Sequence, residues 1–446
     1  MKKIVIFFLF VIVLSSCDPT IDTPIGTGDL GSLGTDNKAF VYVAIGNSLT
    51  AGGNSGALFT ETQKYSYPQL IARQIGVGEF VQPDISSPGI GNRIFLRGFN
   101  AAGLPILETM LVQSSVSNLT YPKPFNNLGV YAAIANDLID TSDFTSRAAK
   151  YGNPYYQVVL RDQRFGKSMI DQAIALKPNL LTIELGINDA LWYAIYGGTK
   201  STFGMPDNPV PTPPEAINAI FTAGLTKLTT ALPNTKIVLF SYPNILGSPY
   251  FTTVPWNALV IDEKTAQLLN QAYSALGFKF AAGPNGFVAV SPKSPGGLRQ
   301  LTANDCLLLG VPQDSLKAGW GSLKPIPNEF VLDSFEIMTT IKAINDYNIV
   351  INQLKNTFPN IYIFDFHSIF ANGRNTIYRV PGSSALTSKF ISGGLFSLDG
   401  VHPTPKGYGV IANEFIKFLN RTFNSDIPLV NISNLPSNSI IPYPGD

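Results

Sequence analysis

Residues 40–52 read Phe40-Val41-Tyr42-Val43-Ala44-Ile45-Gly46-Asn47-Ser48-Leu49-Thr50-Ala51-Gly52. The run from Phe40 to Ile45 is apolar without alternation, which is the pattern of a strand buried on both faces of a parallel sheet. It breaks into a turn of small residues. Such a turn at the carboxyl end of a first buried strand is where α/β sheets place functional groups. Three more runs share this character: Leu180–Leu185, Lys236–Ser241 and Ile361–Phe366. Helical patterns over Gly166–Leu176, Pro214–Leu232 and Ser334–Phe358 precede them, and Thr404–Leu419 closes the series. Strands alternating with helices predict an α/β fold with a central parallel sheet and right-handed crossovers.

Outward from this frame, three stretches break the rhythm: about 54–165, 191–213 and 246–332. They are rich in Gly, Pro, Asn and aromatic residues and read as large loop insertions into one domain over 39–424. The chain has 446 residues, enough to bury a sizeable core. Hydrophobic residues make up 45% and charged residues 14%, against roughly 25% charged in soluble proteins, which excludes a disordered chain. Lys and Arg number 31 and Asp and Glu 30, so there is no electrostatic reason to bind nucleic acid. Two Cys and two His argue against a disulfide scaffold or a Cys/His zinc cluster, and no metal or cofactor is expected.

The N-terminus carries Lys2 and Lys3, an apolar run from Ile4 to Leu14, and then Ser15-Ser16-Cys17. A basic start and a short apolar core make residues 1–16 a secretory signal, too short to span a bilayer. The segment ending at Cys17 resembles the lipobox of bacterial lipoproteins, in which that Cys carries the lipid. Residues 17–38 then read as a flexible tether and 425–446 as a C-terminal tail. The resemblance implies a protein of the bacterial cell envelope, anchored to a membrane and facing the periplasm or the exterior. The other cysteine, Cys306, lies in an apolar stretch and reads as a buried small hydrophobe.

Three segments carry candidate chemistry. Ser48 follows the first strand at a helix start, where it is either an exposed nucleophile or a helix cap. Asn188, in Glu184-Leu185-Gly186-Ile187-Asn188-Asp189, emerges from the same sheet edge. Its amide either donates to a developing oxyanion or closes a turn. Asp399 and His402 have the spacing that lets the carboxylate orient the imidazole, as an acyl-transfer serine requires of its base. The only other histidine, His367, alternates with Asp365 at a strand end, where structural hydrogen bonds are the plainer account.

Together these blocks resemble the SGNH (GDSL-like) hydrolase family: Gly46-Asn47-Ser48-Leu49, then Gly186-Ile187-Asn188-Asp189, then Asp399-Gly400-Val401-His402-Pro403. The resemblance implies a three-layer α/β/α, flavodoxin-like fold. It also implies a triad of Ser48, His402 and Asp399. The oxyanion hole would comprise the Ser48 N–H, the Asn188 side chain and a glycine N–H. Asn127-Leu128-Gly129-Val130 resembles the glycine block, so Gly129 is the candidate, with Gly89 and Gly91 as rivals. One departure is Asn47, where the family has Asp; the triad acid comes from the Asp399 block, so the mechanism does not depend on it. The implied activity is hydrolysis of a carboxylic ester without metal or cofactor. A carbohydrate O-acetyl ester is one substrate class, with Trp192-Tyr193 and Tyr155-Tyr156 available to stack on sugar. A lipid ester, as for a lipase or lysophospholipase, is another, with Leu104–Leu111 and Phe330–Met338 available to wall an acyl groove. A non-catalytic surface binder on the same fold is the third reading.

Overall fold

The computed structural model describes residues 28–100, 105–200 and 210–438. Five parallel strands form the central sheet: β1 (Tyr42–Gly46), β4 (Asn127–Gly129), β5 (Leu180–Glu184), β6 (Lys236–Phe240) and β7 (Ile361–Phe364), with β2 and β3 in a hairpin described below. Across the sheet the order is β7-β6-β5-β1-β4. From β1 the chain crosses to β4 at one edge and returns to β5 on the other side of β1, so the order reverses between β1 and β5. In open α/β sheets ligands bind outside the carboxyl ends of the strands at this reversal. Gly46 pairs with Gly129 on one side and with Glu184 on the other, which brings the residues after all three to one edge.

The continuous apolar character of the strands follows from cover on both faces. Val43, Ile45, Leu181, Ile183, Ile237 and Leu239 pack under α3 (Met169–Leu176), α5 (Pro214–Ala231) and α6 (Ser334–Thr357). Tyr42, Ala44, Leu180, Val238 and Phe240 pack on the opposite side under α2 (Tyr67–Ile75) and α7 (Pro405–Phe423). The result is three layers, α/β/α. The ends of the helices are written in sequence: Asp333 and Glu336 form a reciprocal capping box on α6, and Thr404 caps α7 with Pro405 at its first position.

Four strands and four helices stand where the sequence pattern puts them, to within a few residues. The fifth strand, β4, lies inside 54–165 and so does α2, which corrects the reading of that stretch as an insertion. What does project from it is a long antiparallel hairpin, β2 (Ile90–Phe99) with β3 (Pro105–Gln113). Residues 246–332 build small apolar clusters of their own, around Phe287, Leu301 and Ile326 and around Leu269, Tyr273 and Phe280.

Both expected terminal segments are also shorter than read. Leu30 and Leu33 are buried beside α7, and the Asp426 N–H donates to the Asp29 carbonyl at 2.7 Å. Ile427, Val430, Ile432 and Leu435 are buried, and Asn413 of α7 exchanges two hydrogen bonds with Val430. Apolar anchors two to three residues apart, scattered among polar residues, dock these segments without making a sustained helical or strand period. Residues 28–38 and 425–438 therefore belong to the domain. The expected secretory signal, Cys17 and the last eight residues lie outside the described residues. No helix among the described residues is long and apolar enough to cross a membrane.

Candidate active site

β1 runs straight into α1 (Ser48–Ala51), a single helical turn. The turn is tight because Gly46 has no side chain: a Cβ there would lie 2.0 Å from Thr50 Oγ1. Asn47 caps α1, its Oδ1 accepting the Leu49 N–H at 2.8 Å. Its Nδ2 donates to Glu184 Oε1 at 3.0 Å, and Thr50 Oγ1 donates to Oε2 at 3.2 Å. Burial pushes the Glu184 carboxyl up to about 8 despite these two donors. This accounts for Asn47. An amide can cap the helix through its oxygen and donate to Glu184 through its nitrogen at once, whereas an ionised aspartate has no donor to offer Glu184.

Ser48 sits at the first position of α1, and its Oγ lies 2.8 Å from His402 Nε2. His402 Nδ1 lies 2.7 Å from Asp399 Oδ2. Ser48 and His402, 354 positions apart in the sequence, thus form one chain of contacts with Asp399. Asp399 is held from several sides. Its Oδ1 accepts the N–H groups of Val401 and His402 and the Ser397 hydroxyl, and its Oδ2 also accepts the Gly56 N–H at 2.8 Å. Burial works to raise the Asp399 pKa, but His402 and these donors outweigh it and hold the group at about 2. The ionised carboxylate fixes the imidazole with Nδ1 as donor, leaving Nε2 free to accept from Ser48. Ser397 and Gly56 were not legible as site residues. Gly56 reaches Asp399 only because the 54–56 loop folds against 397–403, where the Ser55 N–H donates to Ser397 Oγ and Asn54 Nδ2 to the Pro403 carbonyl.

The candidate oxyanion donors come out differently from the sequence expectation. The Ser48 N–H has no hydrogen-bond partner among the described residues. Asn188 opens α4 (Asn188–Ile195), and one of its two Nδ2 hydrogens donates to the Ala133 carbonyl at 2.8 Å. Gly129 does not fit the role. Its N–H donates to Asn127 Oδ1 at 3.0 Å, and its lack of a side chain serves packing, since a Cβ would lie 2.4 Å from the Ala51 nitrogen. Gly89 and Gly91 belong to the start of the hairpin, packed against Leu58 and Gly56. Three residues beyond Gly129, the Ala133 N–H donates to the Val130 carbonyl at 3.1 Å and Ala132 adopts φ +68°. This is the left-handed third position of a type II turn, which favours glycine and costs alanine about 1 kcal/mol or more. Ala132 is buried, and its N–H has no partner among the described residues. Buried strain with an unused donor marks functional backbone. The turn borders the site, because the Tyr131 ring packs 5.3 Å from that of His402.

His367 is placed elsewhere. Its Nδ1 contacts the Tyr242 carbonyl at 2.9 Å and its N–H donates to Ser241 Oγ, while Asp365 caps the following turn. The pair closes the end of β7.

A cleft of about 100 Å³ opens beside Ser48, Asn188 and His402. Its walls are mainly apolar: Leu49, Ile187, Leu191, Ile245, Phe370 and Phe396 are among them. The segments expected to wall an acyl groove do not. Leu107, Met110 and Leu111 are exposed on β3, and Phe335 and Met338 on the outer face of α6. Tyr155, Tyr156 and Tyr193 are buried in the domain, so they offer no face to a sugar.

A doubly wound parallel sheet with a Ser–His–Asp contact chain at its carboxyl edge is the build of an α/β serine hydrolase. The chain belongs to the GDSL-like lipase/acylhydrolase family, whose model matches residues 42–415. That span includes Ser48, Asn188, Asp399 and His402. Membership implies hydrolysis of an acyl ester. Among solved structures, the chain is similar to a candidate GDSL-like lipase from Parabacteroides merdae, at 15% identity and a TM-score of 0.33, over 86% of this chain and 96% of that one. No curated protein matches it.

Proposed function

We propose that the protein is a serine esterase that cleaves carboxylic esters of short-to-medium acyl chains through an acyl-enzyme. The contact of Ser48 Oγ with His402 Nε2 at 2.8 Å, beside an apolar cleft, carries this reading. Ser48 Oγ attacks the carbonyl carbon, its proton passes to His402 Nε2, and the carbonyl electron pair moves onto oxygen. The tetrahedral intermediate collapses, and the alcohol leaves with the proton from His402. Water then gives a proton to His402 and attacks the acyl-enzyme, and the acid leaves as Ser48 regains its proton. The oxyanion is held by the Ser48 N–H, the second Nδ2 hydrogen of Asn188, and the Ala132 N–H in place of Gly129. Each such donor accounts for about 10²–10³ in rate.

The cleft favours an acyl chain over a bare acetyl group. An apolar cavity of about 150 Å³ accommodates a six-carbon ring, so 100 Å³ matches roughly four carbons. With p-nitrophenyl esters, kcat/KM is expected to peak at about C4–C6 and to fall about tenfold by C12–C16. A maximum at acetate would favour the O-acetyl esterase reading, and one at C16 a lipase.

The anchor is a separate proposal, resting on Lys2-Lys3, the apolar run Ile4–Leu14 and Ser15-Ser16-Cys17. Cys17 carries lipid and holds the protein at the bacterial envelope. Cells given labelled palmitate should label the full chain but not its Cys17→Ser variant. Equal labelling of both would refute the anchor.

A further inference from the structure

The imidazole of His402 has two hydrogen bonds, Nδ1 with Asp399 Oδ2 at 2.7 Å and Nε2 with Ser48 Oγ at 2.8 Å. The second is remade at every step, because Nε2 passes from Ser48 to the leaving alcohol and then to water. A ring held by the first alone can pivot about Nδ1, and the pivot carries Nε2 off its target. The imidazole lines the apolar cleft, which offers it room to do so. Its other ring contact is Tyr131, whose centroid lies 5.3 Å away at an interplanar angle of 38°. Tyr131 and Gly53 take no part in lining the cleft.

The Tyr131 ring is itself held from several directions. It projects from the 130–133 turn, whose backbone is tied at three points. The Val130 N–H donates to the Gly46 carbonyl at 3.0 Å, Asn153 Nδ2 to the Tyr131 carbonyl at 2.7 Å, and Asn188 Nδ2 to the Ala133 carbonyl at 2.8 Å. The ring stacks on Tyr155, with centroids 5.2 Å apart at 25°. The Tyr155 hydroxyl in turn donates to the Ile90 carbonyl at the base of the β2–β3 hairpin. The same hairpin supports the other end of the pair: the Ile94 N–H donates to the Ser55 carbonyl at 2.8 Å, beside the Gly56 N–H that holds Asp399. The fit is close. A Cβ on Gly53 would lie 3.0 Å from His402 Cδ2 and 3.1 Å from Tyr131 Cε2. The Tyr131 hydroxyl has no hydrogen-bond partner among the described residues, so the contact is made by the ring.

We propose that Tyr131 is a positioning residue for the general base. Its ring, backed by Tyr155 and the hairpin, walls the imidazole so that Nε2 keeps its line to Ser48 and to the leaving alcohol through each turnover. The proposal rests on the serine esterase reading. A misplacement of about 1 Å in a reacting group costs about 10²-fold in rate, so loss of the wall is read in kcat rather than in substrate binding.

The test measures kcat and KM for p-nitrophenyl butyrate on the full chain, Tyr131→Ala, Tyr131→Phe and Gly53→Ala. Tyr131→Ala should lower kcat about 10- to 100-fold and leave KM within about threefold. Tyr131→Phe keeps the ring and should recover most of that loss. Gly53→Ala pushes a methyl against both rings from another segment of the chain, and should lower kcat about tenfold with Tyr131 in place. It keeps the wall testable if Tyr131→Ala does not fold. A second readout needs no turnover. The chain has two histidines, so ¹⁵N-histidine labelling of untagged protein shows two imidazoles, with His367 as the reference. The Nδ1–H signal of His402 should be sharp in the full chain and in Tyr131→Phe. In Tyr131→Ala it should broaden while that of His367 stays. An unmoved His402 signal in Tyr131→Ala, or a kcat there within about twofold of wild type, overturns the wall. A Tyr131→Phe as slow as Tyr131→Ala also overturns it, and moves the role to the hydroxyl. No turnover by the full chain would sink the esterase reading, while the labelled imidazoles would still test the wall.

Discussion

Replacing Ser48 with alanine is expected to abolish ester turnover, a loss of about 10⁶-fold in kcat, while the fold stays as it is. The size of the effect follows from the chemistry: without Oγ no acyl-enzyme forms, and only the oxyanion donors and binding remain. The mildness on the fold follows from the contacts. Ser48 Oγ has one hydrogen-bond partner among the described residues, His402 Nε2, and that nitrogen lies beside an open cleft where water can replace the hydroxyl. Turnover of a butyrate ester, labelling by a fluorophosphonate serine probe and a thermal melt read the three aspects together. Full activity in Ser48→Ala would end the serine mechanism. A labelled wild type beside an unlabelled variant separates the enzyme from a non-catalytic binder.

Asp399→Asn is the second large effect, expected at about 10⁴-fold in kcat. The carboxylate accepts from His402 Nδ1, from three backbone N–H groups and from Ser397 Oγ. An asparagine turns one of the two oxygens into a donor. Whichever way it rotates, a hydrogen points at an existing donor or at His402 Nδ1, where it favours the tautomer that cannot take the Ser48 proton. Stability should also fall, by about 1–3 kcal/mol for a buried donor left unmet. The pH dependence has a definite sign. The Asp399 carboxyl is held down at about 2 in the folded protein, below roughly 3.9 for a free aspartate, so its contribution is full above the free value and is lost as pH falls through 2. The stability gap between wild type and variant in urea melts should therefore close over that acidic window. A kcat within tenfold of wild type would remove Asp399 from the triad.

What the sequence revealed depended on how each residue signals itself. The four longer strands of the central sheet were legible because short runs that are largely apolar without alternation have few other uses. β4 was not, because three residues carry no period, and Asn127–Gly129 shows itself as a strand only against Gly46. Ser48, Asp399 and His402 were legible through their spacing and through the rarity of histidine. Gly129 attracted attention because Asn127-Leu128-Gly129-Val130 resembles the family's glycine block, yet its freedom is spent on packing against α1. Ala132 gave no sign, because an alanine does not advertise a left-handed backbone. Only the 130–133 turn reveals it. The Gly56 N–H and Ser397 hydroxyl were equally silent. They reach Asp399 through contacts spanning 343 residues in one case and a reverse turn in the other.

The docking of residues 28–38 onto α7 also sets a leash. If Cys17 carries lipid, as proposed above, then with Gly28 packed against Asp426 only the stretch from Cys17 to Gly28 is left to bridge lipid and domain. Eleven residue steps at full extension reach about 36–40 Å, less than the diameter of many domains of this size. A protein tethered this closely would patrol a thin shell above its membrane, and its esters would have to come to that shell.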